Sequence, residues 1–299
     1  MLNLTKTQKI CIQYGFLLLL ICMTVYLVST TLDITLIPMI MKLVNKKFIF
    51  IGFLIMVLYI ILECTIINIL IKTIQKTKVR FLAVKIAMMG FYYNLVTPFA
   101  SGSQPMQIYA LNKYDINLSK SIAIVTNKTV LFQTVVTIYS AVIIFLNIEV
   151  LKNELPSMLV LMSIGMVMNI VSLLGGMLIV LTPNTMKIIV KVIVNILYRL
   201  NIFKSLNKKI HTINKFIDEY SYSIKLFIKN KKALCLSIIL TIIQLTVFFS
   251  ISYCVYKAFN LNGLSLFEVL SLQVFLYMSV SPIPTPGNVG ANEVAFLTI

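Results

Sequence analysis

Residues 81–111 read FLAVKIAMMGFYYNLVTPFASGSQPMQIYAL, an apolar stretch broken in its middle by Thr97-Pro98-Phe99-Ala100-Ser101-Gly102-Ser103-Gln104-Pro105. A second break, Ser281-Pro282-Ile283-Pro284-Thr285-Pro286-Gly287-Asn288-Val289-Gly290, ends the apolar residues 265–281 and leads into a short stretch from Ala291 to Ile299. Proline removes an amide donor and clashes with the turn before it, and glycine relaxes the backbone, so neither break belongs in a regular helix. Each segment reads as two half-helices around an unwound centre.

Around these breaks lie uninterrupted apolar runs. About 20 such residues cross the roughly 30 Å of bilayer hydrocarbon. Five runs reach that length, at 10–32, 48–71, 121–147, 155–181 and 234–257. The first is too long for a signal-peptide core, and Ser29-Thr30-Thr31 is no small-residue cleavage site. Of the 299 residues 59% are hydrophobic and 12% charged, half the charge of a soluble chain, for which about 25% is usual. The fold class is all-α: a polytopic helical membrane protein with five full spans and two Gly/Pro-broken re-entrant hairpins, forming one domain over 1–299.

Lysine and arginine number 26 against 9 acids, a net charge of +17. In a soluble protein this would suggest nucleic acid; between membrane spans it suits anionic headgroups and topology control, and no nucleic acid is expected as a partner. Placing 1–9, 72–120 and 182–233 in the cytoplasm gathers 20 of the 26 basic residues there, 11 of them between Lys187 and Lys232. Lys42, Lys46 and Lys47 on the other side run against the rule. The N-terminus is then cytoplasmic, and by parity the first broken segment enters and leaves on one face. The second follows span 234–257 and comes from the opposite face, the arrangement of an inverted repeat in transporters. The competing reading is two kinked structural spans without a ligand.

The segment 182–233 is the one long polar stretch, a basic amphipathic cytoplasmic segment. Ile188, Ile189, Val192, Ile193, Ile196 and Leu197 recur at helical spacing among Lys187, Lys191 and Arg199, as in a helix lying on an anionic leaflet. Residues 201–232 read equally as a solvated connector.

Within the breaks the backbone carries the chemistry. A helix restarting after Ser101-Gly102-Ser103, with Pro105 in its first turn, offers unpaired amides and a positive dipole end suited to phosphate. At the second break Asn288 or Asn292 can cap a helix starting near Ala291, with Gly287 and Gly290 admitting close approach. Glu293 either complements that dipole or meets a cationic amine. Glu63 and Lys128 both lie about 12 Å inside their spans from the same face. They either pair or leave Lys128 to snorkel to the interface. Thr126, Thr129, Gln133, Thr137 and Ser140 share one face of the third run, with Lys128 directed about the other way; they line a headgroup path or bond neighbouring helices. Asn94 follows the interfacial pair Tyr92-Tyr93.

No metal or cofactor site is expected. The cysteines Cys11, Cys22, Cys64, Cys235 and Cys254 form no CxxC, and His211 stands alone. No nucleophile-and-base set or Walker sequence supports covalent catalysis or ATP use, so no catalytic residue is assigned.

Asn94, the run Thr97 to Tyr109 with Gln104 and Gln107, and Pro284-Thr285-Pro286-Gly287-Asn288-Val289-Gly290-Ala291-Asn292-Glu293 resemble the transmembrane, flippase-like domain of bacterial lysylphosphatidylglycerol synthases of the multiple peptide resistance factor type. The resemblance covers nearly the whole chain. It implies a lipid headgroup site at Asn94, Ser101, Gly102, Ser103, Gln104, Gln107, Tyr109, Gly287, Asn288, Gly290, Asn292 and Glu293, and a multi-pass protein of the bacterial cell membrane. It also implies translocation of lysyl-phosphatidylglycerol or a related lipid, and so resistance to cationic peptides. Ser103 replaces a common second glycine, and Asn288-Val289 with Ala291-Asn292 replaces a more glycine-rich run. The family's soluble transferase domain has no counterpart in these residues. Lysyl transfer to phosphatidylglycerol is therefore the alternative activity, carried by a separate subunit or by this polypeptide itself, and a non-transporting lipid-binding scaffold is the second alternative. The end at Ile299, six residues after Glu293, reads as a truncation before the closing helices.

Overall fold

The computed structural model describes residues 37–97, 101–149, 151, 156–182, 207–281 and 283. The first expected span, the 187–199 helix and the second break beyond Ile283 lie outside them. The described residues are helical, with no strand among them. In chain order they form α1 (Ile37–Leu43), α2 (Lys46–Ile74), α3 (Leu82–Val96), α4 (Ser103–Lys113) and α5 (Leu118–Leu146). These are followed by α6 (Pro156–Leu181), α7 (Asn207–Lys229), α8 (Lys231–Ala258) and α9 (Leu266–Val280). Four of them, α2, α5, α6 and α8, are long and apolar enough to cross a membrane, and they coincide with the runs expected from 48, 121, 155 and 234 onward.

Local chemistry sets the helix ends. The Asn45 carboxamide oxygen accepts from the Lys47 amide at 3.1 Å, and Asn230 does the same for Ala233 at 3.1 Å. Ser265 and Glu268 form a reciprocal capping box that starts α9. The Asn45 amide donates to the Ala258 carbonyl at 2.8 Å, so α2 begins where α8 ends and the two run antiparallel along their length.

The short helices come in from opposite ends of this bundle. At one end α3 and α4 form a hairpin: Lys85 lies 5.0 Å from the Tyr114 ring, and the buried Gln107 amide donates to the Ile86 carbonyl at 3.1 Å. At the other end α9 starts beside the last turn of α5, where Asn147 donates to Ser271 at 3.2 Å. It finishes midway along α6, where Asn169 donates to Ser281 at 3.2 Å. The core divides accordingly. Ile66, Leu70, Ile86, Leu111 and Ile124 belong to one buried cluster, and Val136, Phe249, Val274 and Phe275 to the other.

Residues 207–229, expected as a solvated connector or part of a basic surface segment, form the amphipathic helix α7. It buries Ile217, Tyr220, Ile224 and Phe227 against α5 and α2, because its apolar residues recur at helical spacing.

Gly90 marks where the hairpin closes. A Cβ there would stand 2.3 Å from Gln107 Nε2 and 3.1 Å from Ser103 Oγ. Gly90→Ala should cost about 1–3 kcal/mol by driving the buried Gln107 amide off Ile86. Thermal unfolding in detergent should show the loss, and Gln107→Ala in the same chain should recover part of it.

Candidate functional site

A cavity of about 310 Å3 lies where the two buried clusters meet, lined by residues of α2, α3, α4, α5, α8 and α9. Its polar wall consists of Glu63, Asn94, Ser103, Gln104, Gln107, Lys128, Thr129 and Gln133. Tyr59, Phe91, Phe248 and Tyr277 close the remainder. Such a volume lies at the small end of ligand pockets.

Of the two readings for Glu63 and Lys128, the structure shows the ion pair. Lys128 Nζ contacts Glu63 Oε1, and the side chains are 19% and 8% exposed. Snorkelling does not hold Lys128, because the acid on the facing helix offers a nearer partner than the interface. Gln244 of α8 donates to the second Glu63 oxygen at 3.0 Å. A buried acid thus receives hydrogen bonds from two helices, which lets it stay charged among apolar neighbours.

The expectation that Lys128 points away from the Thr129 and Gln133 face is corrected. All three line the cavity, which wraps more of α5 than a single stripe. The stripe itself is no continuous path. Gln133 donates to the Asn169 side chain at 2.6 Å and to its carbonyl at 3.2 Å, while Thr137 and Ser140 are buried farther along α5. Interhelical bonding accounts for Gln133, whereas the Thr137 hydroxyl donates to the Gln133 carbonyl of its own helix at 2.7 Å.

In the first break, Thr97 Oγ1 donates to the Tyr93 carbonyl at 2.6 Å and accepts from the Gly102 amide at 2.9 Å. A Cβ on Gly102 would fall 2.5 Å from Thr97 Cγ2, so the reversal needs glycine for space rather than for dihedral freedom. The helix restarts at Ser103 without a side-chain cap, so its first amides precede any intrahelical acceptor. Ser103, Gln104 and Gln107 turn this end toward the cavity. Ser101 and Gly102 belong to the turn behind it, and Tyr109, 59% exposed, faces outward. Gly287, Asn288, Gly290, Asn292 and Glu293 lie outside the described residues.

The cavity offers donors and acceptors on different walls. Lys128 and the first turn of α4 present positive ends, whereas Glu63 and Asn94 present oxygens. Asn94 Oδ1 is buried without a hydrogen-bond partner among the described residues. No cluster of metal-ligating side chains occurs among the described residues.

Sequence reasoning missed Gln244, Tyr59, Tyr277, Gly90 and Asn169. A lone amide inside an apolar span was a usable signal for Gln244 and Asn169, since such groups seek partners across helices. Gly90 carried none, because its constraint is a neighbour 17 residues away in sequence.

Residues 12–299 match the family model described as the lysylphosphatidylglycerol synthase TM region. No curated protein and no solved structure matches the chain.

Removing one partner of the pair should be far more damaging than removing both. Lys128→Met strands a buried carboxylate and should cost about 3–5 kcal/mol, whereas Glu63→Gln with Lys128→Met should fold nearly as well as the parent. The charge swap Glu63→Lys with Lys128→Glu should recover most of what either reversal alone loses. Unfolding midpoints of the purified variants provide the comparison.

Proposed function

The chain belongs to the family of lysylphosphatidylglycerol synthase TM regions, and on that premise we propose that it moves an aminated phospholipid between leaflets, with lysyl-phosphatidylglycerol as the leading substrate. It is a membrane protein of lysyl-phosphatidylglycerol metabolism. The observation that carries the finer reading is the cavity holding the Glu63 and Lys128 pair at the meeting point of the broken hairpin and α9.

The headgroup of such a lipid bears a phosphodiester and at least one ammonium. In the proposed cycle, phosphate engages Lys128 and the first amides of α4, where the helix dipole favours an anion. The ammonium takes Glu63 and the unpartnered Asn94 oxygen. Each charge leaving the protein pair thus finds one on the ligand, and no unpaired ion is left in the bundle. Phosphatidylglycerol, which has no amine, would strand Glu63. An apolar groove of about 540 Å3 between α5 and α8, lined by Leu131, Ile138, Ile238 and Ile242, supplies a surface for acyl chains. The glycines and Asn288, Asn292 and Glu293 of the second break are proposed to complete the site from the opposite face. The basic end is taken as cytoplasmic by the positive-inside rule.

A phosphatidylglycerol lysyltransferase role shares the same lipid but needs a nucleophile-handling site, which the lining of the described cavity does not present.

In a host lacking the gene, lysyl-phosphatidylglycerol exposed on the outer leaflet should fall while the total stays unchanged. Loss of the total would favour the synthase reading. In proteoliposomes the wild type should move lysyl-phosphatidylglycerol faster than phosphatidylglycerol by about tenfold, the ratio that one stranded interaction of about 1.4 kcal/mol gives. The folded Glu63→Gln, Lys128→Gln double variant should lose that discrimination. Wild-type transport with an unchanged ratio in the double variant would leave the pair purely structural.

A further inference from the structure

A second groove, of about 450 Å3, opens on the outer side of the seam between α2 and α3, away from the ion-pair cavity. From Ile60 to Lys72 it follows 13 residues of α2, about 18 Å of helix. Half of the hydrocarbon core is about 15 Å thick, so the groove has the reach of one acyl chain.

Its lining changes character along that length. Ile60, Ile61 and Cys64 form the deep part, Asn68 follows, and Lys72 with Thr77 forms the mouth. Thr65 satisfies itself on the Ile61 carbonyl at 2.7 Å, but the Asn68 carboxamide has no hydrogen-bond partner among the described residues. An amide in that position on an apolar helix has a donor to offer a lipid oxygen.

The charge around the mouth has one sign. Lys72 lines the mouth and Arg80 lies against Phe81 at its lip, and the sequence has no acidic residue between Glu63 and Asp115. Among the described residues Lys72 has no carboxylate partner. At the lip, Phe81 is 64% exposed and held at φ 57°, a left-handed conformation costly for an aromatic residue, with the Arg80 guanidinium 4.9 Å from its ring.

We propose that this groove is a binding site for an anionic phospholipid of the leaflet at the basic end of the bundle, separate from the translocation cavity. The phosphate sits at Lys72, the glycerol ester oxygens accept from Asn68, and one acyl chain lies along Cys64, Ile61 and Ile60. A basic mouth over an apolar trough between helices is the combination that selects such lipids. A zwitterionic lipid could fill the trough but would gain nothing net from Lys72.

The chain contains no tryptophan, so Ile61→Trp places a single fluorophore on the groove wall at a site already 54% exposed. In phosphatidylcholine vesicles holding a minor fraction of brominated lipid, acyl-brominated phosphatidylglycerol should occupy the site about fivefold more than brominated phosphatidylcholine, the gain from one lysine near the surface. Lys72→Gln should bring that preference close to one. Val84→Trp, on the other wall and 40% exposed, should report the same, and Phe145→Trp, 76% exposed at the far end of α5, should show no preference. Equal quenching by both lipids at Ile61→Trp and Val84→Trp would overturn the proposal. So would a preference as large at Phe145→Trp, or one that Lys72→Gln leaves intact. None of these readouts depends on transport.

Discussion

A carboxylate inside an apolar helix is tolerated only where the protein supplies its counter-charge, and Glu63 sets that requirement on α2. Lys128 of α5 and Gln244 of α8 meet it, so three of the four long apolar helices among the described residues converge on one acid. The consequences extend beyond the contact. Drawing α5 and α8 toward α2 at this level leaves two apolar clusters, one toward each end of the bundle, with the polar cavity at their junction. The pair has the strength of charge-assisted bonding in a poorly solvated site and the vulnerability of any buried pair whose partner is removed.

The hairpin of α3 and α4 depends on close approach rather than on charge. Gly90 and Gly102 each occupy a place where one methyl group would collide with a neighbour, Gln107 in one case and Thr97 in the other. This packing lets a short helix restart at Ser103 inside the bundle, with its first amides free of intrahelical partners. An irregular backbone at that depth is sustainable only beside a cavity or buried in protein, and here the helix that restarts at Ser103 faces the cavity. Membership of the lysylphosphatidylglycerol synthase TM-region family gives this cavity a lipid context. The opposed donor and acceptor walls suit a headgroup that carries both signs of charge.

Much of this was legible along the chain. Four of the five expected apolar runs became long helices, the first lying outside the described residues, because about 20 apolar residues admit few other solutions. The Pro and Gly break at 97–105 read correctly as a restart, since proline and glycine act locally. Asn94, Ser103, Gln104 and Gln107 were picked out by the family resemblance, and they line the cavity. Other readings failed for lack of long-range information. Whether Lys128 reached Glu63 or the interface depended on how α2 and α5 face each other, which helical periodicity alone does not specify. The polar stripe from Thr126 to Ser140 looked continuous on a helical wheel, yet its members meet different neighbours, and Gln133 is shared between the cavity and Asn169. The amphipathic pattern at 207–229 was present, but its docking partner was not.

By itself, then, the amino-acid sequence determined the helical class, the lengths of the membrane-spanning elements, the place where one of them breaks, and the excess of positive charge at one end. These follow from composition and short-range sterics, which neighbouring residues alone decide. Tertiary structure decided that Glu63, Lys128 and Gln244 form one network, that Gly90 must be small, and that the restart at Ser103 opens onto the same cavity. Those facts rest on contacts between residues tens to well over a hundred positions apart, and only the mutual rotation and depth of packed helices brings such residues together.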